Sequence, residues 1–219
     1  MKTYHKINTI FKRDMAKKGQ IMEGVFSEPE FEYLKGNVWV FTEKVDGTNI
    51  RVMWNGKEVV FGGKTDNAQI PSFLVARLNE LFYKITKRKI FKEIFGEEGG
   101  TCLYGEGYGA KIQKGGGNYK SDGQDFVLFD VKIGELWLER HNIEDIASKF
   151  GIKVVPIIGE GTLRDGIKMV KKGFNSQWGE FPAEGIVLRP RVELKNRRGF
   201  RIITKLKTRD FGRIKRERE

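Results

Sequence analysis

Several stretches of the chain carry the two-residue period of a strand with one buried face. Residues 49–54 (Asn-Ile-Arg-Val-Met-Trp) alternate most clearly, and residues 37–42 (Asn-Val-Trp-Val-Phe-Thr) read as a strand running into a polar Lys-Val-Asp-Gly stretch. Asn55-Gly56 predicts a two-residue hairpin turn, because both residues tolerate positive φ, and residues 57–61 supply the return strand. Residues 72–95 instead carry helical spacing, with Leu74, Leu78, Leu81, Phe82 and Ile85 on one face and Lys84, Lys87, Arg88 and Lys89 mostly elsewhere. Residues 101–104, 125–131, 135–138, 185–188 and 200–206 read as further strands, and 143–150 and 163–172 as short helices. Strands outnumber helices and tight turns join most of them. The pattern predicts an α+β fold of antiparallel β-sheets with flanking helices. No repeat, low-complexity tract or Pro/Ser-rich linker interrupts it, so residues 1–219 read as a single domain.

Charge adds a partner to this picture. The 219 residues hold 41 Lys+Arg against 29 Asp+Glu, a formal charge of +12. Residues 189–219 alone hold 13 Lys+Arg against 4 Asp+Glu. A basic surplus on this scale fits a polyanion, whose neutralised phosphates release counterions. We therefore expect nucleic-acid contact through a basic surface that includes residues 189–219. Charge does not separate DNA from RNA, or either from a phosphorylated small molecule. Cys102 is the one cysteine, which rules out an internal disulfide and suits a reducing, cytoplasmic compartment. With only His5 and His141 besides, a Cys/His zinc site is not expected. No apolar run approaches the ~18 residues of a membrane span, and the polar N-terminus lacks a signal stretch. We expect a soluble monomer without membrane contact.

Five motifs carry the chemistry. Glu43-Lys44-Val45-Asp46-Gly47-Thr48-Asn49 is weak alone, since Asp-Gly turns are common. Tyr104-Gly105-Glu106-Gly107-Tyr108-Gly109 leaves a strand with a carboxylate among small residues. Residues 125–131 place Phe129 beside Asp130 on a buried-looking strand, and Glu184 heads the apolar strand of residues 185–188. Lys205 and Lys207 alternate onto one strand face. This ordered set resembles the covalent nucleotidyltransferase superfamily of ATP-dependent DNA ligases, RNA ligases and mRNA capping enzymes, and most of all phage-type RNA ligases. The resemblance spans roughly residues 41–207.

The resemblance implies a nucleotidyltransferase (ATP-grasp-like) domain that uses ATP. Lys44 becomes the nucleophile that takes up AMP, and Lys205 and Lys207 the phosphate contacts. An amine attacks only when deprotonated, a form favoured by cationic neighbours and loss of water. Glu184 is implied in the metal-dependent steps, with Mg²⁺ or Mn²⁺ beside the triphosphate. Glu106 falls to the ribose hydroxyls, Phe129 to stacking on adenine, and Glu43 to the purine edge. Asp46 and Asn49 line the same pocket. Lys64, in Gly62-Gly63-Lys64-Thr65, stands where many relatives carry an arginine that contacts the nucleotide. Lysine keeps that charge and loses the planar fork. The glycine loop of residues 112–119 reads as a flexible connection, as in phage-type RNA ligases, without a catalytic role.

Only 12 residues follow Lys207, too few for the oligonucleotide-binding barrel of DNA ligases and capping enzymes. The expectation is an ATP-dependent polynucleotide ligase, RNA before DNA, that moves AMP to a 5′-phosphate and seals it to a 3′-hydroxyl. Two alternatives stand beside it: a nucleotidyltransferase that adenylylates or caps ends without sealing, and a non-catalytic nucleic-acid-binding relative.

Overall fold

The structure is a computed structural model that describes residues 3–212. In chain order the strands and helices begin with β1 (Asn8–Thr9), β2 (Phe11–Asp14), β3 (Gln20–Phe26), α1 (Pro29–Tyr33), β4 (Trp39–Glu43), β5 (Thr48–Trp54) and β6 (Val59–Gly62). Then come α2 (Ser72–Leu78), α3 (Ile85–Phe95), β7 (Thr101–Gly109), α4 (Gly116–Tyr119), β8 (Gln124–Ile133) and β9 (Leu136–Trp137). The rest are α5 (Arg140–Phe150), β10 (Lys153–Val154), β11 (Ile157–Gly161), α6 (Leu163–Lys172), β12 (Gly185–Pro190) and β13 (Thr204–Lys207). Two compact units share them: Asp46–Val155 with Tyr4, and His5–Val45 with the chain from Pro156 onward.

The Asp46–Val155 unit is built on the sheet β10-β8-β7-β5-β6, with β9 paired to β8. Ile50, Val52, Leu103 and Leu128 face Leu74, Leu78, Phe82 and Phe91 of the helical stretch, and Ile146 and Phe150 of α5. Phe82 sits among Phe126, Phe150 and Phe91 at centroid distances of 5.4, 5.6 and 6.2 Å. The continuous helix expected over residues 72–95 is divided. A π-helical turn, Asn79–Tyr83, follows α2, and Lys84 takes an extended ψ of 148° before α3 starts. This turn seats Leu81 and Phe82 in the core but leaves Ile85 69% exposed, so the face restarts at Phe91. The hairpin after β5 is also longer than expected. Trp54 pairs with Val59, and Asn55 Oδ1 accepts from the Lys57 and Glu58 N–H groups, both at 2.9 Å. The Asn side chain stabilises a four-residue turn where Asn-Gly suggested a two-residue one.

The other unit has the sheet β1-β13-β12-β4-β11 and the separate hairpin β2-β3. Its core gathers Trp39, Phe41, Ile186, Leu188 and Leu206 from the sheet against Leu163 and Val170 of α6. That helix begins at a capping box, with Thr162 and Asp165 bonding each other's backbone N–H. Residues 200–206 were expected as one strand, but only β13 is laddered there, and Arg201 makes an isolated bridge to Lys195. Most pairings are antiparallel as expected. β10 with β8 and β1 with β13 are parallel. Neither pair is joined by a tight turn: α5 lies between β8 and β10, and most of the chain lies between β1 and β13. A connection of that length lets the second strand return in the same direction.

Candidate active site

Three adjacent strands of the His5–Val45 and Pro156-onward unit end together. Gly185 of β12 pairs with Lys207 of β13, and Ile186 with Glu43 of β4. Lys44, one step past β4, and Glu184, one step before β12, therefore meet Lys207. Backbone bonds hold this end. Lys44 N–H donates to Gly185 O, and Thr208 N–H to Glu184 O, each at 2.9 Å. Gly185 permits the close approach, because a Cβ there would lie 2.0 Å from Leu206 O. The Glu184 carboxylate is shared: Lys44 Nζ donates to Oε2 at 2.5 Å and Lys207 Nζ to Oε1 at 2.7 Å. The three side chains keep 20%, 13% and 18% exposure in the order Lys44, Glu184, Lys207, so water reaches them only partly. Lys205 lies two residues back on β13, opposite Val187, on the face of Lys207 by the strand period. Lys44 and Lys207 bring two ammonium groups to one carboxylate, a positive surplus suited to phosphate.

Glu43, the last residue of β4, packs into the core. It shares the face of Trp39 and Phe41, the reverse of Lys44, and is 1% exposed. Ser176 Oγ donates to Oε1 at 2.5 Å and Gln177 N–H to Oε2 at 2.8 Å. Burial raises its pKa, and these two bonds partly oppose the rise. The carboxylate ties residues 176–177 to β4 and is occupied there.

In the Asp46–Val155 unit, Asn49 stands directly across from Glu106 on the β5–β7 ladder, so their side chains share a face. Asn49 Oδ1 is buried with no hydrogen-bond partner. Such an acceptor costs about 1–3 kcal/mol, and a ligand donor would recover it. Gly47 packs against the neighbouring strand, since a Cβ there would sit 2.3 Å from Gly107 O and 2.8 Å from Glu106 Cγ. Asp46 N–H donates to Tyr119 Oη, and Gln113 Nε2 to Gly47 O, both at 3.2 Å. The glycine loop is thus anchored: it forms the turn α4, buries Tyr119 and grips the Asp46-Gly47 backbone.

The Tyr104–Gly109 motif lies within β7 where a strand end was expected. Tyr104 pairs with Asp130 and Gly105 with Leu128, leaving Phe129 as the extra residue of a bulge. A bulge re-aims its side chain and is common beside active sites. Phe129 is half-buried, edge-on to Tyr4 at 5.1 Å, and Tyr4 Oη donates to Asp130 Oδ2 at 2.5 Å. Lys64 is exposed on the loop after β6. Arg51, 1% exposed, holds that loop through Gly63 O at 2.8 Å and Asp66 at 2.7 Å.

Sequence reasoning passed over Arg51, Tyr4, Tyr119, Ser176 and Gln177. Arg51 had a visible signal, as an arginine inside the apolar run of β5. The others depend on distant partners. Cys102 is buried, which pushes its thiol up to about 11 and leaves it unreactive near neutral pH. Among the described residues no group of three or more His, Cys, Asp and Glu side chains could hold a metal, and no helix is long and apolar enough to cross a membrane. Residues 213–219 of the expected basic surface lie outside the described residues.

Solved structures of Naegleria gruberi RNA ligase share this fold. A mutant with ATP and Mn matches with a TM-score of 0.62 at 19% identity, covering 84% of this chain and 53% of that one. The protein with pyrophosphate gives 0.60 at 21%, covering 82% and 52%. A further mutant with AMP and Mn gives 0.59 at 21%, with the same coverage. The chain thus spans about half the length of these proteins. No curated protein sequence matches it. The RNA ligase family pattern matches residues 37–207, from the strand before Lys44 to Lys207 itself, and on that match the chain belongs to the RNA ligase family.

Proposed function

We propose that the protein is an ATP-dependent polynucleotide ligase that joins RNA ends, and DNA ends less readily, through AMP held covalently on Lys44. The observation that carries this reading is the Glu184 carboxylate shared by Lys44 and Lys207 within the family's matched span. Lys44 Nζ, its proton passed to Glu184 or water, attacks the α-phosphorus of ATP. A P–N bond forms as the P–O bond to pyrophosphate breaks. A 5′-phosphate oxygen of the nucleic acid then attacks the same phosphorus, the P–N bond breaks, and Lys44 regains a proton. Finally a 3′-hydroxyl loses its proton, attacks the 5′-phosphate and displaces AMP. Lys205 and Lys207 offset the charge that builds on the phosphate oxygens.

Glu106 takes the ribose hydroxyls, Phe129 the adenine face, and Asp46, Asn49 and Lys64 complete the nucleotide contacts. The partnerless Asn49 Oδ1 and the bulge at Phe129 support this share-out. The two units act as one nucleotidyltransferase domain, a reading supported by a family match that includes residues of both. The motif order favours a place near the phage-type RNA ligases. Mg²⁺ or Mn²⁺ would be held by Glu184. One Glu184 oxygen, released from Lys44 or Lys207, would suit a small hard cation that takes its remaining donors from phosphate and water. When bound, it would neutralise phosphate charge.

Intact mass after incubation with ATP and Mg²⁺ tests the reading, with Lys44→Ala alongside and pyrophosphate pretreatment to remove AMP already bound. We expect the wild type alone to gain one acid-labile AMP, and then to seal 5′-phosphate RNA. Stripped, folded wild type that takes up no AMP would overturn the reading. AMP uptake without sealing of any RNA, DNA or mixed ends would leave an adenylylating enzyme that does not join.

A further inference from the structure

β12 and β13 run antiparallel, so the connection over residues 191–203 lies at the end away from Glu184 and Lys207. Within it a short hairpin is held rigidly. Asn196 N–H donates to Phe200 O at 2.8 Å, and Asn196 Oδ1 accepts from the Arg198 and Phe200 N–H groups, both at 3.0 Å. Below the tip, Lys195 bridges to Arg201, and the nearly buried Arg201 guanidinium is clasped by both oxygens of Glu193. The tip holds Arg197 and Arg198 exposed, together with Phe200, 55% exposed. Beside it lies a cavity of about 290 Å³, lined by Arg198 and Phe200 and also by Lys6, Glu28, Glu30 and Phe31. Glu28 is engaged there by Asn8 at 2.7 Å.

An exposed ring flanked by cations is how proteins hold single strands: bases stack on the ring and phosphates meet the charges. A carboxylate such as Glu30 accepts from the amino group of a base. We propose that the 195–201 hairpin and this cavity form a subsite for one nucleotide of the RNA strand being joined. The base stacks on Phe200, and its phosphate meets Arg198 and Lys6. The choice of RNA rests on the ligase reading above. The subsite lies a strand's length from Lys44: the six residues of β12 span about 20 Å. A stacked strand advances ~3.4 Å per nucleotide, so the contact falls roughly six nucleotides from the joined end.

The test measures anisotropy of fluorescein-labelled, 5′-phosphorylated single-stranded RNA with the full chain, for wild type, Phe200→Ala and Arg198→Ala. With an RNA of roughly 12 nucleotides, Phe200→Ala should raise Kd about 5- to 150-fold, the worth of one stacked base. Arg198→Ala should lower the slope of log K against log salt by about one. An RNA of roughly four nucleotides cannot reach from Lys44 to the subsite and should bind the wild type more weakly than the long RNA. AMP uptake from ATP alone should be the same in all three. Unchanged binding of the long RNA by both variants would overturn the subsite, and so would a wild type that binds no RNA. Loss of AMP uptake in Phe200→Ala would mean the ring is structural and would overturn it too. A wild type without AMP uptake, whose variants still lost the long RNA, would overturn the ligase reading and leave the subsite standing.

Discussion

Lys44, Glu184 and Lys207 satisfy one another through a shared carboxylate, whereas Asn49, on the β5–β7 face with Glu106, keeps a buried acceptor without a partner. In the first region the resting arrangement is comfortable and the proposed reaction would have to disturb it, because a lysine donating to a carboxylate has no lone pair to attack with. In the second region the resting arrangement carries the cost, and a ligand would remove it. The two regions should therefore respond differently to truncation, one in rate and the other in binding.

The largest effect should come from Glu184→Ala. It leaves Lys44 and Lys207 facing each other without their common carboxylate and removes the acceptor of the Lys44 proton in the proposed reaction. We expect the rate of AMP uptake to fall by about 10²–10³, within the scale of losing a positioned proton acceptor. Single-turnover kinetics with saturating ATP would read it. A rate within a factor of a few of wild type would mean that the cluster is an ordinary ion pair.

A smaller and differently shaped effect is expected at Asn49. Asn49→Ala should raise the KM for ATP by roughly 5- to 30-fold, equivalent to a lost hydrogen bond of about 1–2 kcal/mol, with kcat nearly unchanged. Stability should not fall, because the substitution deletes an acceptor that nothing meets. Thermal unfolding without nucleotide would check this. A marked drop in Tm would make Asn49 a structural residue and remove the contrast between the two regions.

The smallest effect concerns Glu43, which adjoins Lys44 in sequence but belongs to the core in space. Its pKa is raised from the ordinary 4.5 by burial. In the window above 4.5 the folded chain holds a proton that the unfolded chain has lost, so stability falls as pH rises through that window. Glu43→Gln has no such proton, and wild type should lose stability relative to it as pH climbs from 4.5. Parallel urea titrations from acid to neutral pH would measure the difference. A constant difference across that range would show that Ser176 and Gln177 fully offset the burial.

Glu43 also shows what strand parity makes legible in a sequence. The alternation Trp39, Phe41, Glu43 already put its side chain on the core face, and Lys44 on the other. The range of α6 was legible to the residue, because its amphipathic spacing and its Thr-x-x-Asp cap are local. The division of residues 72–95 was not legible. The π-helical turn follows from how Leu81 and Phe82 meet Phe126 and Phe150, residues that are remote in sequence. The Phe129 bulge was hidden as well, since a slip between β7 and β8 is a property of two strands together.

The sequence by itself determined the element types, the basic balance and the ordered set of Lys44, Glu106, Glu184, Lys205 and Lys207, because periodicity and motif order are local or additive properties of the chain. Only the tertiary structure decided that Lys44 and Lys207 share Glu184, that Glu43 is spent on Ser176 and Gln177, and that Asn49 Oδ1 waits without a partner. Those outcomes depend on strand register and burial. Register is set by which strands pair across more than a hundred residues of chain, and the free energy of a charge or a carbonyl depends on how much water the fold leaves around it.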